Sequence, residues 1–367
     1  MVSLRSRARR VIRTERSLTR GGVSIPLGRI CPPSEGAPMR AAVITQPGGP
    51  EVFAIQEVPD PTYGPDEVLV AVHATALNRA DLLQRRGRYN GPPGTRNDIP
   101  GLEMAGVVEA VGARVTGWKP GDRVMALLGG EGYASKIAVH ERMLMPVPPS
   151  LTLEQAASIP EVFLTAFDAL HLQSELVMGE SVLIHAAGSG VGTAAIQLSA
   201  AQGCRVFGTA GSQEKLARAA ELGLHVGINY REQDFAEVVK ERTDGRGVEV
   251  ILDVIGAPYW HQNLASLAVR GRMVIVGSMG GGRVENMEIG ALSQKRATVR
   301  GTLLRGRPLE EKATLIQAFN RRVLPLFANE TIQPVVDRVF PLEEVSAAHE
   351  LMESNANFGK IVLSIPQ

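Results

Sequence analysis

Gly188, Gly190 and Gly192 fall within five positions of "HAAGSGVGTAAIQ", residues 185–197, with the apolar run "SVLI" before them and an alanine-rich run after. Glycine lets a backbone approach a pyrophosphate with no Cβ in the way. A helix beginning just beyond would turn its N–H groups and positive end toward that anion. The alternative is a tight turn that only packs a helix on a strand. Set in register on Gly192, the G-x-G-x-x-G frame falls on Ala187, Ser189 and Gly192, so the loop is a variant of the dinucleotide fingerprint, with Gly188, Gly190 and Val191 between.

A second cluster refines that chemistry. NAD-binding loops place an acid at the end of the next strand, against the ribose 2′-hydroxyl. Here "GTAGSQEKL" stands there, with Ala210, Gly211 and Ser212 in the acid's place and Lys215 one turn on. An acid would repel a 2′-phosphate, whereas a hydroxyl and an ammonium receive one. These residues therefore favour NADPH over NADH. In the competing reading Ser212 only caps a helix and Lys215 is a solvated surface residue, although a cap serine can serve both ends. Tyr230, ending "GINY", either covers the adenine or is a buried edge tyrosine. His185 reads as a satisfied core group rather than a proton donor. The seven histidines and the cysteines Cys31 and Cys204 fall into no metal or redox spacing, which points to a reducing, cytoplasmic compartment.

These groups need elements to hold them. A chain of 367 residues exceeds the size at which one core stops growing, so two domains are expected. From Met39 to about Phe163, short apolar runs such as "RAAVIT", "EVLVAVHATAL" and "DRVMALL" alternate with Gly, Pro and Asp, which reads as a small β-barrel or sandwich. After Ser158 the rhythm becomes strand, glycine turn, helix, with five Val/Ile-rich runs that read as a parallel sheet covered on both faces. "ATVRGTLL" extends that sheet at its edge, and the final "PVVDRVF…GKIVLSIP" returns as β-α-β to the first domain.

Composition narrows the class. With 44% hydrophobic and 21% charged residues this is an ordinary soluble composition, and no apolar run reaches the ~18 residues of a membrane span. Residues 1–38 hold eight arginines, no lysine and two acids, a net +6, which leaves −5 on the remainder of a chain whose total is +1. An acidic body argues against a nucleic-acid partner. The basic head admits three readings: a transit peptide, a disordered arm, or upstream sequence read through to a start at Met39.

Long stretches carry a resemblance. "MRAAVITQPGGPE", "ALNRADLLQRRGRY", "IPGLEMAGVVEAVG", "WKPGDRV", "AASIPEVFLTAF", "VLIHAAGSGVGTAAIQL" and "GKIVL" resemble the zinc-free quinone oxidoreductase branch of the medium-chain dehydrogenase/reductases. Within that branch "NRADLLQRRGRY", "TAGSQEKL" and "LLRGR" look like the tumour-suppressor-inducible members, with zeta-crystallin more distant. The resemblance implies an α/β fold. Residues 39–160 and 305–367 would form a GroES-like β-barrel catalytic domain, and 161–304 an inserted Rossmann domain for NADPH. Zinc members carry a ligating cysteine where "ALNRAD" stands and a histidine where Leu102 stands. Here those places hold Asn78 to Asp81 and a leucine, the four-cysteine lobe is missing, and no metal is expected.

By the same resemblance Asn78 and Tyr89 face nicotinamide and substrate, with Tyr89 a donor of a hydrogen bond or proton. Arg79 and Asp81 read as an ion pair or surface residues. Thr165 lies beside the cofactor or bonds its own helix. Gly277, Ser278 and Met279 end the fifth strand near the nicotinamide, and Thr302, Leu303 and Leu304 offer backbone groups to its carboxamide. Without a Lewis acid, alcohol oxidation loses its main stabiliser of alkoxide charge, whereas hydride addition to a quinone or enone gives a delocalised anion. The sequence thus reads as an NADPH:quinone oxidoreductase and homodimer. The rival enzyme reading is an enoyl or enone reductase, and the rival of another class is a crystallin-like or RNA-binding protein that holds NADPH with little turnover.

Overall fold

The computed structural model describes residues 38–366. The basic head and Cys31 lie outside the described residues. Among them, no helix is long and apolar enough to cross a membrane.

The first apolar runs fold as strands β1 (Met39–Ile44), β2 (Phe53–Val58), β3 (Glu67–Ala76), β4 (Glu103–Val111), β5 (Arg123–Leu127), β6 (Lys136–His140) and β7 (Leu144–Pro146). β1 and β2 form an antiparallel pair. β3 is long enough to serve two partners on one side: Glu67–Ala71 pair with β6, and Ala74–Ala76 with a strand from the far end of the chain. Two irregularities in its pairing with β4, at Leu69/Val70 and Val72/Ala74, give the bends that let a sheet curl. The stretch before Phe163 is less uniformly β than its residues predict. Arg79–Arg85, Leu153–Ala157 and Pro160–Phe167 are helical, the second opened by a Thr152/Gln155 capping box.

The second rhythm gives β8 (Ser181–Ile184), β9 (Arg205–Ala210), β10 (Val226–Asn229), β11 (Val248–Asp253), β12 (Leu267–Ile275) and β13 (Thr298–Gly301). They form one parallel sheet in the order β10-β9-β8-β11-β12-β13. Successive side chains point to opposite faces of a strand. Val182 and Ile184 accordingly join one buried cluster, while Leu183 joins another with Phe207, Phe235, Trp260 and Leu264. Strand order reverses between β8 and β11, where doubly wound sheets bind ligands. β14 (Val336–Pro341) and β15 (Lys360–Ser364) then leave this sheet, and β15 pairs antiparallel with β3.

Candidate active site

At the switch point, β8 ends at Ile184 and the next helix runs Gly190–Ala201, three residues earlier than the expected start at Thr193. Gly190 and Gly192 therefore lie inside its first turn. Ser189 caps it, its Oγ accepting the Gly192 N–H at 3.0 Å, while Val191 N–H has no partner among the described residues. A Cβ on Gly192 would sit 2.3 Å from the Ala186 carbonyl oxygen, so this fingerprint glycine is required by close approach. Ala187 is accommodated by a glycine elsewhere: its methyl lies 3.1 Å from where Gly208 in β9 would carry a Cβ. The loop thus keeps the cradle a dinucleotide needs.

Lys215 lies over this loop, its Cδ 3.1 Å from the Cβ position of Gly188, and its ammonium donates to the Asn355 carbonyl at 2.6 Å. Burial lowers its pKa. Its stem is half-buried against the loop while its ammonium bonds Asn355 at the surface. Ser212 caps Gln213–Glu221, accepting Lys215 N–H at 3.4 Å. Tyr230 is 44% exposed, which removes the buried-edge alternative, and its hydroxyl is 2.7 Å from the Cβ position of Gly211. Arg231 Nε is 3.2 Å from the same point, a cation the sequence reading passed over.

A buried polar network stands beside the loop. Lys360, from β15, lays its stem against Gly190, with Cδ 2.7 Å from the Cβ position, and donates to Asn78 Oδ1 at 2.8 Å and Glu103 Oε1 at 2.7 Å. Asn78 Nδ2 donates to Glu103 Oε1 at 2.9 Å and to the Ala76 carbonyl at 3.2 Å. Both amide hydrogens are committed, so Asn78 holds the network and has no free hydrogen for a substrate. Glu103 Oε2 accepts the Glu161 backbone N–H at 2.8 Å. Asp81, expected in an ion pair or at the surface, is fully buried and accepts from Asn78 N–H (2.7 Å), Gly101 N–H (3.3 Å) and the Tyr133 hydroxyl (3.0 Å). Burial pushes its carboxyl up to about 6 despite these donors. Arg79 instead donates to Asn355 Oδ1, so two cations converge on one asparagine.

Tyr89 is held by Arg305, whose guanidinium lies 4.7 Å from the ring centroid and donates to Gly129 O (2.8 Å) and Gln84 Oε1 (2.7 Å). Burial raises the Tyr89 pKa, and Arg305 opposes that rise. The Thr165 hydroxyl has no hydrogen-bond partner among the described residues, so the self-bonding alternative does not hold. Gly277, Ser278, Thr302 and Leu303 line one cavity of about 360 Å³ with Ile275, Val276 and Gly301. Met279 is exposed and Leu304 buried. The Thr302 N–H, expected to reach a carboxamide, is already bonded to the Ile275 carbonyl at 3.0 Å, and its hydroxyl to Asp168 at 2.6 Å. His185 is core: burial lowers it to about 4. Asn263 Oδ1 accepts its Nε2 hydrogen at 2.6 Å, and its Nδ1 takes the Thr209 hydroxyl at 3.0 Å.

Sequence reasoning missed Lys360, Glu103, Glu161 and Arg305 as site residues, although each stands in a quoted motif, "GKIVL", "GLEMAG", "IPEVFLTAF" or "LLRGR". Among the described residues no group of three or more His, Cys, Asp or Glu side chains could hold a metal ion.

A doubly wound sheet with a glycine turn at its switch point, joined to a curled, mostly antiparallel sheet, defines a dinucleotide-dependent dehydrogenase or reductase. The family profile described as "Alcohol dehydrogenase GroES-like domain" matches residues 64–149, and that described as "Zinc-binding dehydrogenase" matches 190–321. The chain is 33% identical to the quinone oxidoreductase of Sus scrofa over 329 residues, 89% of this chain and 97% of that one. It is 35% identical to that of Pseudomonas aeruginosa over 86% and 96%. A quinone oxidoreductase structure from Pseudomonas syringae superposes with a TM-score of 0.77 at 31% identity, covering 89% and 99% of the two chains. The CurK enoyl reductase gives 0.78 at 30% over the same shares. The chain belongs to the medium-chain dehydrogenase/reductase superfamily, among its quinone oxidoreductases, and its cofactor is a nicotinamide dinucleotide.

Proposed function

We propose that this protein transfers hydride from NADPH to quinones without a zinc ion. The observation that carries the reading is the junction made by Lys360, whose stem packs on the phosphate loop at Gly190 while its ammonium holds Asn78 and Glu103. One side chain thus couples the cofactor cradle to the buried polar network. The bound cofactor supplies the hydride; the protein holds, orients and neutralises charge. The first turn at Gly188–Gly192 takes the pyrophosphate. Ser212 and Lys215 receive the 2′-phosphate and Tyr230 covers the adenine. Thr165, Gly277, Ser278 and Leu303 surround the nicotinamide. Tyr89, aligned by Arg305, donates a hydrogen bond to the acceptor oxygen.

The test follows nicotinamide absorbance with NADPH against quinone and 2-enoyl thioester panels, with and without a metal chelator. Quinone turnover unaffected by chelation is expected; no oxidation by any quinone overturns the reading. The likeness to CurK enoyl reductase supports a second reading, reduction of an enone or enoyl thioester, which the second panel reads. A homodimer formed through β13 is part of the proposal: β13 is an outer strand of its sheet, and Thr298, Arg300 and Gly301 are exposed there. Sedimentation as a monomer would remove that part.

A further inference from the structure

The Glu161 side chain makes no hydrogen bond in the network above. Its Oε2 is out of reach of solvent with no hydrogen-bond partner among the described residues, and a buried oxygen without a partner calls for a physical explanation. On the helix Pro160–Phe167 only Glu161 and Thr165 are not buried, and their i, i+4 spacing puts both on one face. Thr165 is the residue assigned to the cofactor's side, so the same face brings a carboxyl to the reacting end of the cleft.

The groups around Glu161 are Glu103 of β4, Asp81 of the helix Arg79–Arg85, Lys360 of β15, Arg305, Lys312 of the helix Leu309–Arg322, and Tyr89. Each cation among them is committed elsewhere. Lys360 donates to Leu77 O, Asn78 Oδ1 and Glu103 Oε1. Arg305 holds Gly129 and Gln84, and Lys312 donates to the Arg305 carbonyl at 2.8 Å. Both oxygens of Glu103 receive donors, whereas Glu161 Oε2 receives none. Neighbouring buried carboxyls do not both stay ionised, and the proton goes to the one without donors.

We propose that Glu161 is held as a neutral carboxylic acid and delivers its proton to the oxygen of the bound acceptor through Oε1, the carboxyl oxygen that is not closed off. This rests on the reductase reading. Hydride addition gives the acceptor two electrons and one hydrogen and leaves an oxyanion. The Glu161 O–H bond then breaks, its proton joins that oxygen, the electron pair stays on the carboxylate, and solvent returns a proton at Oε1. Burial, then the Glu103 charge, pushes the Glu161 carboxyl up to about 8, while burial raises the Tyr89 phenol above its ordinary value. An acid close to the working pH transfers its proton with the smaller penalty.

Infrared spectra of the cofactor-free protein at neutral pH test the proton without needing turnover. A carboxylic-acid carbonyl band, lost on alkaline titration and missing in Glu161→Gln, is expected. Quinone reduction by Glu161→Gln should fall about 100-fold, with loss of the alkaline limb near pH 8 that the wild type shows. Glu161→Asp, which keeps an acid on a shorter arm, should recover part of the rate. No such band, or an unchanged rate and pH profile in Glu161→Gln, overturns the proposal. A wild type with the band but inactive with every acceptor overturns the reductase reading, and the delivery step with it.

Discussion

Lys360 and Glu103 meet at 2.7 Å with almost no solvent on either side chain, 4% and 0% exposed. They come from β4 and β15, strands far apart in the sequence, and Lys360 also packs against Gly190 in the glycine loop. A buried pair of this kind is worth most when its remaining lone pairs and protons are bonded, as Asn78, Leu77 and the Glu161 N–H bond them here.

Removing one partner leaves the other charge stranded. Lys360→Met should destabilise the fold by about 3–5 kcal/mol, and Lys360→Met combined with Glu103→Gln should recover much of that loss. Denaturant titration of both variants against the wild type measures it.

Lys215 distinguishes the two nicotinamide cofactors. A charged hydrogen bond to a phosphate is worth about 1.5–3 kcal/mol, so Lys215→Ala should raise the Kd for NADPH roughly 10-fold to 100-fold and that for NADH far less. Calorimetric titration with each cofactor reads the difference, and equal losses would count against Lys215 as the 2′-phosphate partner.

Acid should unfold the protein through its buried histidines. Burial lowers His185 to about 4, and burial followed by the Arg85 charge lowers His349 to about 3, from an ordinary 6.5. The folded pKa lies below the unfolded one, so the stabilisation is complete above pH 6.5 and is lost as pH falls toward 4 and 3. Each group contributes a slope of up to about 1.4 kcal/mol per pH unit. Melting temperatures between pH 7 and 4 should show the decline, and His349→Gln should flatten it.

What could be read from the residues was local. The five Val/Ile-rich runs predict β8 to β12, because continuous apolar strands between helices have only a doubly covered parallel sheet to enter. The glycine cluster predicts an anion cradle because Cβ crowding is a property of the turn itself, as Gly192 shows against Ala186. The absence of an acid after "GTA" likewise stands in a single stretch. The mistaken readings were also local ones: a helix start taken from Thr193 ignored that glycines can occupy a first turn capped by Ser189, and Asp81 next to Arg79 looked like an ion pair only in one dimension.

The rest depended on separations along the chain that no periodicity records. Glu161 owes its raised pKa first to burial and then to the charges of Glu103 and Asp81, which Lys360 and Arg305 oppose, and Lys215 owes its place over Gly188 partly to Asn355. By itself the sequence determined the two kinds of sheet and the glycine turn at the switch point, because these follow from side-chain size and β-branching within a few residues. Only the tertiary structure decided which carboxyl is left without a partner, since burial and the exhaustion of hydrogen-bond donors exist only once distant strands and helices have closed around it.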